Sequence, residues 1–301
     1  MWGIGGVKRQ ERGWYHPGAM SQVLTVRFGH SPDPDDAFMY YPLASGMVDT
    51  EGLVFEQVLE DIESLNGRAL RGELETTAAS VHACAHLLAR YAILPCGASM
   101  GDGYGPLVVA RRPMQMEDLA GVTVAIPGRL TSAWLALQLA VGEVSHVVVP
   151  FDRIPAAVQS GQAEAGLLIH EGQLTWERDG LHKVADLGAW WGARTGGLPL
   201  PLGVNLVRRD LGDAVMGAIG RSLRRAIDWA LDHRPQALAY AGGFARGLEP
   251  DLTDRFVSMY VNDLTRDFGD RGRQAIIRFL EEGRSRGFID APAGEPLIVA
   301  L

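Results

Sequence analysis

The chain reads as an α/β protein of two lobes with a ligand cleft between them, and three observations predict it. From Met20 onward, short β-rich runs alternate with longer helical ones, the pattern of an α/β architecture. The length of 301 residues is twice the prior of about 150 residues for one domain. Two passages dense in Gly and Pro, "GASMGDGYGPLVVARR" and "DLGAWWGARTGGLPLPLG", break the alternation where the chain would cross from one lobe to the other and back.

In chain order, "LTVRFG" reads as a strand and "DDAFMYYPLASG" as a helix stopped by Gly46. "LVFEQVLE" is a strand, "DIESLNGRALRG" a helix, and "LETTAAS" a strand that turns into the helix "VHACAHLLARY". The first Gly-rich passage follows as a candidate hinge. Beyond it come the strand "VTVAIP", the helix "TSAWLALQLAVG", the strand "SHVVVPF", the short helix "IPAAVQSG" and the strand "AEAGLLIH". "VNLVRRD" is a strand returning to the first lobe, and from Leu211 to about Arg286 the pattern is almost wholly helical. Residues 20–107 with 203–301 are therefore expected to form a larger lobe, with 108–202 inserted as a smaller one. An inserted lobe reached by two crossings is the arrangement of a periplasmic-binding-protein-like fold of type II. Residues 1–19 read as a disordered extension ahead of a start at Met20.

Composition narrows the function. At 47% hydrophobic and 21% charged the chain matches an ordinary globular protein, and no apolar run approaches the roughly 20 residues of a membrane span. The net charge of −8 and the lack of a basic stripe argue against nucleic acid; Arg221, Arg224 and Arg225 cluster on what reads as a solvated helix face. Cys84 and Cys96 lack the spacing of a zinc site or a redox pair, and a disulfide between them stays open. The first nineteen residues have no long apolar core of a secretory signal, so a cytoplasmic protein is expected.

Three stretches carry chemistry. In "HSPDPDDAF" the order Asp33, Pro34, Asp35, Asp36 is what a helix start prefers: Asp33 as N-cap, Pro34 at the first position, two acids against the positive end of the dipole. No companion cluster of His or acids stands at ligand spacing, so capping is expected and a metal is not. In "VTVAIPGRLTSAWLALQLA", Thr131 and Ser132 head a helix after a strand, either as an ordinary cap or as an anion site suited to a carboxylate. His170 and Glu171 end the strand "AGLLIH", where ligands bind in open α/β sheets, and a neutral imidazole there can accept a proton. His30 also ends a strand but runs at once into the cap. His82 and His86 share a helix face without a zinc-protease Glu between them. The adjacent Trp190 and Trp191 in a loop either wall a flat aromatic ligand or pack at the lobe junction.

The segments "SPDPDDAFMYYPL", "IPGRLTSAWLALQL" and "FDRIPAAVQSGQAEAGLLIHEGQLTWERDGLHKVADLGAWWGARTGGLPLPLG" resemble the 1,4-dihydroxy-6-naphthoate synthase family of the futalosine route to menaquinone. The resemblance runs from about Leu24 past Asp210, with "GLLIHE" and the tryptophan–proline passage its most specific parts. It implies a two-lobed binding-protein-like fold used as a lyase without metal or organic cofactor, converting cyclic dehypoxanthine futalosine into 1,4-dihydroxy-6-naphthoate. The family's general base matches His170. Its substrate contacts match Ala78, Ala79 and Ser80 and the pair Thr131 and Ser132, with Ser31, Asp33, Trp190 and Trp191 as the expected cleft wall. The partner is then a small aromatic carboxylate substrate; a homodimer stays open. Two departures stand out: many members read like "SPCPNDTF" where this chain has Asp33 and Asp35, and "AAS" lacks the lysine common in that segment. A solute-binding protein of a transporter and the related chorismate dehydratase are the competing assignments.

Overall fold

The computed structural model describes residues 24–291 and 296–301. The expected extension over 1–19 and the start at Met20 lie outside the described residues. The chain opens with β1 (Thr25–His30), α1 (Pro34–Ala44), β2 (Val54–Leu59), α2 (Ile62–Arg71) and β3 (Thr76–Ser80). A single turn, α3 (Val81–Cys84), leads to β4 (Tyr91–Ile93) and β5 (Ser99–Gly101). Then follow β6 (Leu107–Ala110), β7 (Thr123–Ile126), α4 (Ser132–Val141), β8 (Ser145–Val148), α5 (Ile154–Ser160) and β9 (Ala165–Leu168). A short α6 (Gly172–Thr175), β10 (His182–Asp186) and α7 (Leu187–Thr195) precede the long β11 (Leu200–Arg208). The remainder is helical: α8 (Asp213–Asp232), α9 (Arg234–Ala241), α10 (Pro250–Tyr260), α11 (Asp263–Arg266) and α12 (Gly269–Ser285).

These strands form two mixed sheets. The first has the order β2-β1-β3-β11-β4, with β5 also on β11; the second has β10-β6-β9-β7-β8. β1 is parallel to β2 and β3, and β7 is parallel to β8 and β9, while β11 runs antiparallel to β3. The carboxyl ends of β1, β3, β7 and β9 therefore open toward one crevice, where an open α/β sheet presents its loops to a ligand. "VNLVRRD" does return to the first sheet as the inner part of β11.

The core follows from this layout. One apolar cluster joins Ala79, Val81, Ile93 and Phe279 to Val108, Val124, Leu135 and Leu167, so α4 and the second sheet pack against the first sheet and α12 behind the crevice. A second cluster packs α1 against α8 and α9 through Phe38, Met39, Ile219 and Leu223.

Local order departs from expectation at three places. The helix expected over "VHACAHLLARY" stops after one turn: Ala85, His86 and Leu87 donate to the carbonyls three residues back, a tightening that ends in β4. His82 and His86 thus share no helix face. "DLGAWWGARTGG" is not a loop but α7, because the Asp186 side chain accepts from Gly188 and Ala189 N–H and Gly196 closes the far end at φ +74°. β10, pairing with β6, had no strong alternation in the sequence. Arg221 and Arg225 grip Glu51, and Arg224 pairs with Asp228, which makes that basic cluster an ion-paired surface. Cys84 and Cys96 are both buried free thiols, each pushed up to about 12 by burial.

Candidate active site

A cavity fills the crevice, walled from the first sheet's side by Ser31, Asp33, Asp35, Asp36, Ala78, Ser80, Leu202, Phe256 and Tyr260. From the other side come Thr131, Ser132, Ala133, Ile169, His170 and Gln173. Ser31, Asp33, Thr131, Ser132, Ile169 and His170 arrive on loops or helix starts that follow strands, whereas Ala78 and Ser80 end β3, Leu202 lies in β11, and Phe256 and Tyr260 come from α10.

His170 stands two residues past β9 at φ +51°, a left-handed conformation that costs a non-glycine residue about 1 kcal/mol or more. Gly would sit there without strain, so the position holds its histidine against a local penalty. The side chain is 17% exposed, with the Phe151 ring against its edge at 4.8 Å. Its Nδ1 lies 2.9 Å from Oδ2 of Asp33, across the crevice. Burial works against the imidazolium, yet the Asp33 carboxylate outweighs it and the histidine ends above its ordinary value. Asp33, opposed by burial but held by His170, ends below its own.

This corrects the reading of Asp33 as a cap. It occupies the N-cap position of α1 by backbone, at φ −127° and ψ 166°, and Ala37 N–H donates to its carbonyl, but its side chain makes no cap bond. Its carboxylate instead faces His170 Nδ1 across the crevice. Asp36 takes the local task instead, accepting from Ser31 N–H at 2.7 Å.

The three carboxylates converge more closely than their spacing suggests, with one oxygen of each within 4.8 Å of the others. An acid cluster alone assigns no metal. Burial first, and then the charge of Asp33, raises Asp35 and Asp36 well above the ordinary carboxylate value. Above pH ~3.9, the ordinary carboxylate value, the folded state keeps protons that the unfolded chain has released, and stability falls as pH rises toward the raised folded value. Asp35→Asn, which mimics the protonated acid, should flatten that decline and leave the variant about 1–2 kcal/mol more stable than its parent at pH 8. Urea unfolding at pH 5 and pH 8 reads the slope directly; equal slopes would mean that Asp35 ionises freely.

Thr131 and Ser132 do reach the cavity, but their hydroxyls are engaged. Thr131 Oγ1 accepts from Trp134 N–H and donates to the Gly128 carbonyl; Ser132 Oγ donates to the Leu202 carbonyl at 2.6 Å and accepts from His82 N–H. What the start of α4 leaves for an anion is the N–H pair of Ser132 and Ala133, which have no intrahelical acceptor. Ala78 and Ser80 line the cavity, whereas Ala79 points into the core, as strand alternation dictates. His82 is buried behind Thr131 and pushed down to about 4, a packing residue. His30 is buried with Nδ1 toward the Ser31 carbonyl. The tryptophans are not in the cavity wall: Trp191 is fully buried, edge-on to Phe279 with its indole N–H on the Pro199 carbonyl, and Trp190 carries Arg194 over its ring.

Four participants escaped the sequence. Arg246 donates to both oxygens of Glu171 and to the Pro32 carbonyl, with its guanidinium over Phe151. Like His170 it has a positive φ, +47°. Tyr260 donates to Oε1 of Gln173 at 2.8 Å. Glu63 of α2 accepts from Leu130 N–H across the mouth, and Gly128 makes room for that carboxylate, which would lie 2.4 Å from a Cβ there. Nothing in the periodicity of "AGGFARGLEP" marks Arg246, whereas Gly128 beside Pro127 was a visible sign of close approach.

A family model described as "Menaquinone biosynthesis" matches residues 26–285. A "1,4-dihydroxy-6-naphtoate synthase" of Thermus thermophilus is 44% identical over 274 residues, covering 91% of this chain and 99% of that protein. The chain belongs to the menaquinone-biosynthesis family. A second synthase of that name, from Streptomyces coelicolor, is 36% identical, with 92% of this chain and 96% of the relative covered. Among solved structures, a protein of Archaeoglobus fulgidus matches with a TM-score of 0.84 at 45% identity, over 88% of this chain and 98% of that one. The alkanesulfonate-binding protein of Xanthomonas axonopodis matches with a TM-score of 0.67 at 13% identity, over 91% of this chain and 96% of its own, which makes the fold periplasmic-binding-protein-like. As a member of the menaquinone-biosynthesis family the chain is an enzyme, and the lyase class fits the name its relatives carry. Among the described residues, no helix is long and apolar enough to cross a membrane.

Proposed function

We propose that the enzyme converts cyclic dehypoxanthine futalosine into 1,4-dihydroxy-6-naphthoate, with His170 as general base and no cofactor. The observation that carries this reading is the imidazole at the end of β9: it lies in the cavity wall, with Nδ1 against a carboxylate and Nε2 without a protein partner among the described residues. The synthase name of two relatives that match over nine-tenths of the chain supports the naphthoate product.

The reaction needs little else. Nε2 takes a proton from carbon next to a carbonyl, and the electron pair left behind passes through the enolate to expel a β-oxygen, which opens the ring. Loss of the sugar-derived fragment then yields the aromatic diol. The carboxyls of Asp35 and Asp36, raised by burial, stand in the same wall as candidate proton donors for oxygen atoms that gain charge. The substrate carboxylate fits the N–H groups of Ser132 and Ala133 at the start of α4. We keep the lobe division at residues 20–107 with 203–301 against 108–202, with the reaction between the two.

Incubating purified protein with cyclic dehypoxanthine futalosine should give the naphthoate, detected by mass and by absorbance. Binding without conversion would instead favour a solute-binding role, and conversion of chorismate the related dehydratase.

A further inference from the structure

We propose that Asp33 is a positioning residue for His170, a carboxylate delivered from the opposite side of the cleft that fixes the base's tautomer and orientation once the cleft is closed. The inference rests on the assignment of His170 as the base. Asp33 belongs to the loop after β1 in the first sheet, and His170 to the loop after β9 in the second, so no local geometry holds them together. They meet at 2.9 Å because the two walls meet. Two further contacts close the same seam beside them: Arg246 on Glu171, the next residue in the chain, and Tyr260 on Gln173.

A carboxylate on Nδ1 selects the tautomer with the proton there and leaves Nε2 as the acceptor. Without it the ring, on a backbone already strained at φ +51°, loses its Nδ1 contact and keeps the Phe151 ring beside it. Asp33 is committed to this use. Its side chain is 3% exposed, and it gives up the cap of α1. The titratable and charged groups around the imidazole are Asp33, Asp35 and Asp36 at the start of α1, with Glu171 and Arg246 beside it. Of these, Asp33 dominates the rise in the histidine's pKa, while Arg246 opposes it.

The test is Asp33→Asn beside the parent enzyme. Turnover at saturating substrate should fall about ten- to a hundredfold, the usual cost of losing the partner that orients a histidine, with KM within about threefold. The acid limb of the kcat profile should move to lower pH, because burial alone depresses the imidazole once the carboxylate is gone. Unchanged kcat and limb would overturn the pairing, as would a raised KM with an unmoved limb. A measurement that needs no variant of Asp33 covers the case in which it fails to fold. In wild-type protein with ¹⁵N-labelled histidine, the His170 signals, assigned by their loss in His170→Ala, should show Nδ1 protonated and Nε2 as acceptor at pH 8. The reverse tautomer would refute the pairing. If instead His170→Ala turns over normally, the base assignment fails while the tautomer result still decides the pairing.

Discussion

Replacing His170 by alanine should cut turnover of cyclic dehypoxanthine futalosine by about 10²–10⁴-fold, the range expected for loss of a general base, while substrate affinity changes by only a few-fold. The reason is geometric. The imidazole is the group in the cavity wall that is both basic near neutrality and without a protein partner on one nitrogen among the described residues, whereas burial raises Asp35 and Asp36 and Asp33 faces His170. The start of α4, proposed above to take the substrate carboxylate, is left intact, so the substrate should still bind. Removing the ring strands the Asp33 carboxylate in a buried site, and a buried lone charge takes up a proton. The variant should therefore lose stability as pH rises through the range where Asp33 must ionise. Isothermal titration with substrate and single-turnover product assays at pH 7.5 separate the two effects; retained turnover would remove His170 from the mechanism.

Gly188→Ala should be the most damaging single methyl group in the molecule. A Cβ at Gly188 would stand 1.8 Å from the Tyr104 carbonyl oxygen, 2.0 Å from its carbon and 2.5 Å from Gly105 N. All three are backbone atoms, so no side chain can swing aside. The contact lies where the two crossings run side by side: Leu187 N–H donates to the Pro106 carbonyl, and β10 pairs with β6 from Asp186 to Leu107. Relief requires one crossing to move, which should cost roughly 3–5 kcal/mol and shift the two sheets relative to one another. Gly192→Ala is the internal control. It lies in the same helix with nothing within 4 Å of its Cβ, and should be neutral or stabilising by up to about 1 kcal/mol. Urea midpoints of the two variants test the contrast, and comparable stability would mean that the crossings slide freely.

Much of this was legible in the sequence, for identifiable reasons. Strands buried on both faces announce themselves as apolar runs, so β7, β9 and their carboxyl-end loops could be placed, and with them Thr131, Ser132 and His170. Asp33 was misread because an N-cap is a local pattern and its real partner lies on another sheet. Local grammar was satisfied, and a long-range ion pair used the same residue differently. The tryptophans were left between cleft wall and core because the glycines of "DLGAWWGARTGG" suggested a loop, although Asp186 at one end and Gly196 at the other were a helix start and stop in plain view. Arg246 has no such signal, since its position on the seam depends on where α9 and α10 pack against the rest of the first sheet's side.

The central claim, a histidine base in a closed cleft, is tested most directly by kcat as a function of pH, because that profile reports the enzyme–substrate complex. A single deprotonation on the acid side, above the ordinary imidazole value of 6.5 and absent in His170→Ala, is the expected result, since His170 is raised by Asp33 and must be neutral to act. An acid limb in the carboxylate range near pH 4 would contradict it and transfer the role of base to one of the aspartates on the opposite wall.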